Sequence, residues 1–296
     1  MGILGIYASQ ISGHLYVGQF VAISNTLGTA AATSPDGITW TSRTLPATAE
    51  WLSVSASGSN FYIATADSST SAASSTDGIT WTARTLPSAS RWYSSAFGNG
   101  TYVSPAFNSA NAAYSTNGTS WTATSMPSSA RWRATAYGAS TFVSVAAGPS
   151  DKAATSSDGI TWTARTLTAS QAWTALSFGG GLFLATADGS ATANSSSDGI
   201  TWTARTLPSS NSWLSNAYGN GTYVVIANGS TAAATSSDAV TWTARTTTSA
   251  SDWWAVTYGN GLFVSIGNTV AQTSPNGVTW TARTIPSTLW WDIAFG

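Results

Sequence analysis

The chain contains no cysteine, which excludes disulfides and thiolate metal sites and leaves the redox compartment open. It has one histidine, His14, and one glutamate, Glu50, so a histidine-rich metal centre cannot be assembled. Charge is scarce as well. Charged residues make up 7% of the 296, against about 25% in ordinary soluble domains. The formal net charge of −1 provides no basic field for nucleic acid or an anionic membrane surface. No run of about 18 apolar residues occurs, so no membrane insertion by a helix is expected. The opening MGILGIYASQ lacks a basic n-region, which argues against a Sec-type signal peptide. No cofactor and no metal are expected.

What the sequence has in abundance is tryptophan, 16 residues of it, together with Ser, Thr, Ala and Gly. Seven of the tryptophans, Trp40, Trp81, Trp121, Trp162, Trp202, Trp242 and Trp280, mark near-copies of the segment SSDGITWTAR at 156–165. Their spacings are 41, 40, 41, 40, 40 and 38 residues. A period near forty, with four short strand-like runs per period, is that of a β-propeller blade. A second set, Trp51, Trp92, Trp132, Trp173, Trp213, Trp253 and Trp290, opens the first strand of each period.

The predicted fold is therefore all-β: a single seven-bladed propeller of four-stranded antiparallel blades. The repeat starts in mid-blade, because GQFVAIS at 18–24 has no preceding strand, while the missing strand stands at the other end as WWDIAFG, 290–296. A ring left open would expose an unpaired sheet edge. The C-terminal strand is thus expected to complete the first blade, giving blades at 290–296 plus 18–45, 51–86, 92–126, 132–167, 173–207, 213–246 and 253–285. Residues 1–17 precede the repeats and are expected to form an arm or an extra strand.

Within a period, the Asn-Gly pairs at 99–100, 220–221 and 260–261 predict two-residue hairpins. Asp158-Gly159 and its counterparts read the same way, as a type I′ turn that would set Trp162 opposite Thr155, on a floor of small residues that includes Ala153 and Ala164. The turn residues are Asp36, Asp77, Asn117, Asp158, Asp198, Asp238 and Asn276, each expected to cap its own turn. Ala239 replaces the usual glycine and predicts a turn that is distorted or of another type. An arginine follows each motif tryptophan by three residues, at Arg43, Arg84, Arg165, Arg205, Arg245 and Arg283, with Thr124 in the third blade. These arginines are expected at the far end of the blade from the turn, bonding loop carbonyls.

The S-x-D-G-x-T-W hairpin resembles the Asp-box, or BNR-type, repeat of sialidase-like propellers, one residue shorter between Asp and Trp than the usual form. The combination AYGNGTYV and ATSSDGITWTAR is more similar still to repeats of bacteriophage tail and bacterial surface proteins. The resemblance spans about residues 18–296. It implies a structural role for the box, on the face away from any active site, and a virion or extracellular location.

Sialidase-type hydrolysis needs an arginine cluster, an acid/base carboxyl and a Tyr/Glu nucleophile pair, and the single glutamate does not provide it. Glycosidase carboxylates could come only from Glu50, Asp67, Asp151, Asp188, Asp252 and Asp292. Binding is the stronger expectation, on the face where the repeats diverge. Glu50, Arg91, Arg131 and Asp252 stand just before the inner tryptophans, Arg133 and Trp254 just after, and Asp151-Lys152 in a longer loop. The function expected is that of a non-enzymatic structural or receptor-binding component of a bacteriophage virion. Its partners would be other virion proteins, through residues 1–17, and a host cell-surface glycan. A lectin-like propeller is the alternative, and a sialidase-like glycosidase the more remote one.

Overall fold

A computed structural model describes residues 18–296; the expected N-terminal arm and His14 lie outside the described residues. The described chain is built of strands joined by turns. Six sheets form, five with four strands and one with seven. The seven-stranded sheet is two blades, because Thr122–Gly138 is one continuous strand that is the outer edge of the third blade and the inner strand of the fourth. The ring therefore has seven blades.

Ring closure is as expected. Trp290–Phe295 pairs antiparallel with Phe20–Ser24, with Phe20 opposite Phe295 and Val21 opposite Ala294. Gly28–Ser34 and Thr41–Ala49 complete that blade. The seam is closed on backbone atoms: Gln19 N donates to Gly296 O at 3.0 Å, and Gly296 N to Gln19 O at 3.3 Å. From the second blade, Tyr62 Oη donates to both carbonyls, at 2.8 and 2.7 Å. Burial pushes that phenol up to about 12.

The blades pack through aromatic and aliphatic clusters that each draw on two neighbours. One holds Val21, Ile23 and Leu45 of the first blade with Tyr62, Ala64 and Trp81 of the second. The seven inner tryptophans are almost completely buried. Most donate their indole N–H to a carbonyl, for example Trp213 to Ser209 O at 3.1 Å and Trp253 to Ser249 O at 3.1 Å.

Three local readings are corrected. The Asn-Gly pairs are type I′, with Asn220 at φ 47° and Gly221 at 74°, but the Asp-Gly turns are not. Thr155 pairs with Thr163, so seven residues, 156–162, bridge the strands, and only the glycine has positive φ, 77° at Gly159. The outer strand accordingly starts later than expected and runs longer: in the sixth blade it is Thr243–Ser251. The motif tryptophan lies at the end of the loop. Trp162 packs with Ala154 and Phe142 of its own blade and with Val103 and Ala112 of the preceding one. In this register Ala154 faces Ala164, and Ala153 faces Arg165.

Ala239 is not distorted. It adopts φ 58° and Asp238 keeps the full set of box bonds. The arginines do not reach loop carbonyls. Each donates Nε to a Ser or Thr hydroxyl on the adjacent strand of its own blade, as Arg165 does to Thr155 Oγ1 at 3.0 Å and Arg205 to Ser195 Oγ at 2.9 Å. In the third blade, the arginine and the accepting Ser or Thr are both replaced: Thr124 and Tyr114 stand there. Thr124 Oγ1 instead donates to Ile160 O of the fourth blade at 2.7 Å.

Candidate functional site at the channel mouth

The first strands of all seven blades surround the ring axis. The three residues that follow each inner tryptophan, two in the case of Trp290, line a central cavity of about 210 Å³. Small or polar residues occupy most of this lining, such as Ser53, Ser94, Ser215 and Thr174. At one mouth the repeat is broken by Tyr93, Arg133, Trp254 and Trp291, each immediately after its blade's inner tryptophan.

These four side chains meet. Trp254 and Trp291 stack with centroids 4.3 Å apart and 29° between planes. Tyr93 meets Trp291 edge-on at 5.9 Å. The Arg133 guanidinium carbon lies 4.0 Å from the Tyr93 ring centroid and 5.7 Å from that of Trp291, within cation–π range of both. Burial pulls the Arg133 pKa down from its ordinary value, against the raising influence of Tyr93. Trp254 is held by a relay: its indole N–H donates to Asn268 Oδ1 at 3.1 Å, and Asn268 Nδ2 donates to Asp252 Oδ2 at 2.7 Å.

Outside Tyr93, Phe107 packs with its ring centroid 5.0 Å away and tilted by 37°, and the Arg91 guanidinium lies 5.5 Å from both rings. Arg91 is neutralised by Asp67. Its Nε donates to both carboxylate oxygens, at 2.9 and 3.0 Å, and Nη2 to Oδ2 at 2.8 Å. Inside the cavity, Asp292 accepts from Val54 N at 2.9 Å and Ile293 N at 2.9 Å. Burial raises its carboxyl to about 6, opposed by those N–H groups and by the charge of Arg133.

Of the residues singled out in the sequence, Arg133 and Trp254 lie in the cavity, and Arg91 and Asp252 support it from the rim. The others stay apart. Glu50 is exposed, its carbonyl accepting from Asp67 N at 2.8 Å. Arg131 is an exposed strand residue opposite Phe107. Asp151 and Lys152 are exposed on Ser150–Ser156, with Lys152 Nζ donating to Ser129 O at 3.2 Å. Tyr93, Trp291 and Phe107 were missed. For Tyr93 and Trp291 a signal was available, since the position after the inner tryptophan reads Leu, Tyr, Arg, Thr, Leu, Trp, Trp around the ring.

The Asp boxes lie elsewhere, at the hairpins between third and fourth strands. In the fifth blade Asp198 Oδ1 accepts from Ile200 N and Thr201 N, both at 2.8 Å, and from Ser196 Oγ at 2.9 Å. The N–H groups of Thr201 and Ile200 hold its carboxyl below the ordinary 3.8. Asn117 and Asn276 make the same backbone bonds without charge, at 2.9 to 3.1 Å. The boxes therefore hold loops together.

No family model matches the chain, and no similar curated protein is found. Solved structures are similar in fold. A streptogramin B lyase aligns with TM-score 0.74 and 9% identity, covering 82% of this chain and 86% of that one. Selenomethionine-substituted virginiamycin B lyase from Staphylococcus aureus aligns with TM-score 0.73 and 10% identity over 84% and 91%. YCF48 bound to D1 peptide aligns with TM-score 0.64 and 17% identity over 80% and 82%. At these identities the likeness establishes the class of the molecule, a β-propeller, and nothing about its chemistry.

Proposed function

We propose that this propeller is a non-catalytic binding module whose ligand enters the central channel between Arg133 and the Trp254–Trp291 stack, and that it serves as a receptor-binding component of a bacteriophage virion. The observation that carries the binding reading is the local loss of sevenfold symmetry. The repeat is kept where blades pack and broken where four aromatic and cationic side chains converge on an open mouth. Aromatic faces beside a guanidinium suit a glycan, whose C–H faces stack on indoles while its polar groups take hydrogen bonds.

Support for a non-catalytic role comes from the carboxyl groups. Asp292 is the one acidic residue among those lining the cavity, and paired-carboxylate glycoside hydrolysis requires two. Glu50 lies outside that lining. The virion assignment rests on the resemblance of the repeat to those of phage tails and on a surface with little charge. Mass spectrometry of gradient-purified particles from the source culture tests it: this chain is expected at stoichiometric abundance, and its absence from every particle fraction rejects the assignment.

A further inference from the structure

Of the eight other arginines, seven are engaged within the protein, and the eighth, Arg131, is exposed to solvent. Six donate to Ser or Thr hydroxyls, as Arg43 and Arg283 do at 2.9 Å, and Arg91 is paired with Asp67. Arg133 differs. It lies in the channel, stacked over Tyr93, and among the described residues its guanidinium donates to no acceptor and forms no ion pair. A cation removed from bulk water without a hydrogen-bonded acceptor is costly, the Asp292 carboxyl of the same cavity acting on it only at longer range, and the planar fork of arginine is shaped for a bidentate oxyanion.

We infer that the channel mouth selects an acidic sugar, a single ring bearing one carboxylate, with the carboxylate on Arg133 and the ring face on Trp254. This rests on the binding reading above and specifies its ligand. Three features narrow the class. The cavity, about 210 Å³, is below the roughly 300 Å³ at which drug-sized sites begin, so one ring enters rather than a chain. Trp254 is held in a fixed orientation by Asn268 and Asp252, a platform set before the ligand arrives. Arg133 is the one cation lining the cavity, and it shares that space with Asp292. With Asp292 ionised, a monoanion leaves the cavity one negative charge in excess; a phosphate, with a charge of about −1.5 to −2, leaves more.

The test is a saturation-transfer NMR titration of residues 1–296 with D-glucuronate, D-glucose and glucose 6-phosphate, repeated on Arg133→Gln and Trp254→Ala. The thermal midpoint of each variant serves as the folding control. Glucuronate is expected to bind about tenfold or more tighter than glucose, the usual worth of a charged hydrogen bond. Arg133→Gln is expected to erase that preference, bringing glucuronate down to the affinity of glucose or below it, and Trp254→Ala to weaken both sugars. Equal binding of glucuronate and glucose, unaffected by Arg133→Gln, overturns the acidic-sugar inference and leaves the binding module standing. Tighter binding of glucose 6-phosphate than glucuronate overturns the monoanion argument. No binding of any sugar by the folded protein overturns the inference together with the glycan reading beneath it.

Discussion

Thr168 stands where five blades have proline, at Pro46, Pro87, Pro127, Pro208 and Pro286. Its N–H, which proline would lack, is accepted by Asn194 Oδ1 of the next blade at 3.3 Å. The one other exception repeats the pattern: Thr248 N donates to Gln272 Oε1 of the following blade at 3.1 Å. The remaining blades have alanine at the positions of Asn194 and Gln272, for example Ala154 and Ala234. Asn194→Ala should strand a donor between blades and cost about 1–3 kcal/mol. Adding Thr168→Pro should bring stability back to within about 0.5 kcal/mol of the parent, because donor and acceptor then leave together. Denaturant midpoints of the two single variants and the double variant decide this; simple additivity would refute it. Ala239 has a similar partner. A Cβ on Gly199 would meet Val143 Cγ2 at 2.4 Å, and one on Gly277 would meet Val224 Cγ2 at 2.4 Å. The residue equivalent to those valines beside Ala239 is Leu184, which is not branched at Cβ and shares its cluster. The turn expected to be distorted is relaxed by this change in the neighbouring blade.

At the scale of the element, the Asp box is a loop that the aspartate closes on itself. The folded pKa of Asp198 is lowered from 3.8, so its contribution is complete above that value and is lost as pH falls through 3.8 and below. Asp36, Asp77, Asp158 and Asp238 are shifted in the same direction. Replacing all five by Asn, the residue already present at 117 and 276, should preserve the fold at pH 7 and flatten the acid limb of a thermal-midpoint-against-pH curve. A variant that loses stability below pH 4 as steeply as the parent would contradict this. The same element shows where sequence reading stopped. The period and the displaced strand were legible, because they follow from counting along the chain. The turn type was not: Asp-Gly signals both a two-residue hairpin and this seven-residue loop, and only the register separates them. Arg133 and Trp254 were legible as departures from the repeat. Tyr93 and Trp291 are not singled out by the sequence, since it does not say which of two adjacent residues faces the axis. The Arg91–Asp67 pair joins residues of neighbouring blades, which spacing alone does not bring together.

For the whole molecule, stability depends on the seam between the first and last strands. Tyr62 ties both sides of it from the neighbouring blade, so Tyr62→Phe removes a buried donor shared by two carbonyls. A loss of about 1–3 kcal/mol is expected. Hydrogen exchange should quicken at Phe20–Ser24 and Trp290–Phe295 ahead of the fifth and sixth blades; uniform quickening around the ring would show that the seam is no weaker than any other blade. The seam also sets an order of events during synthesis. Phe20–Ser24 leaves the ribosome some 270 residues before its partner, and at 5–20 residues per second that strand waits roughly a quarter of a minute to a minute. Throughout that interval the nascent chain offers an edge to any strand of matching pattern, and the six copies of the absent strand made meanwhile are the nearest competitors.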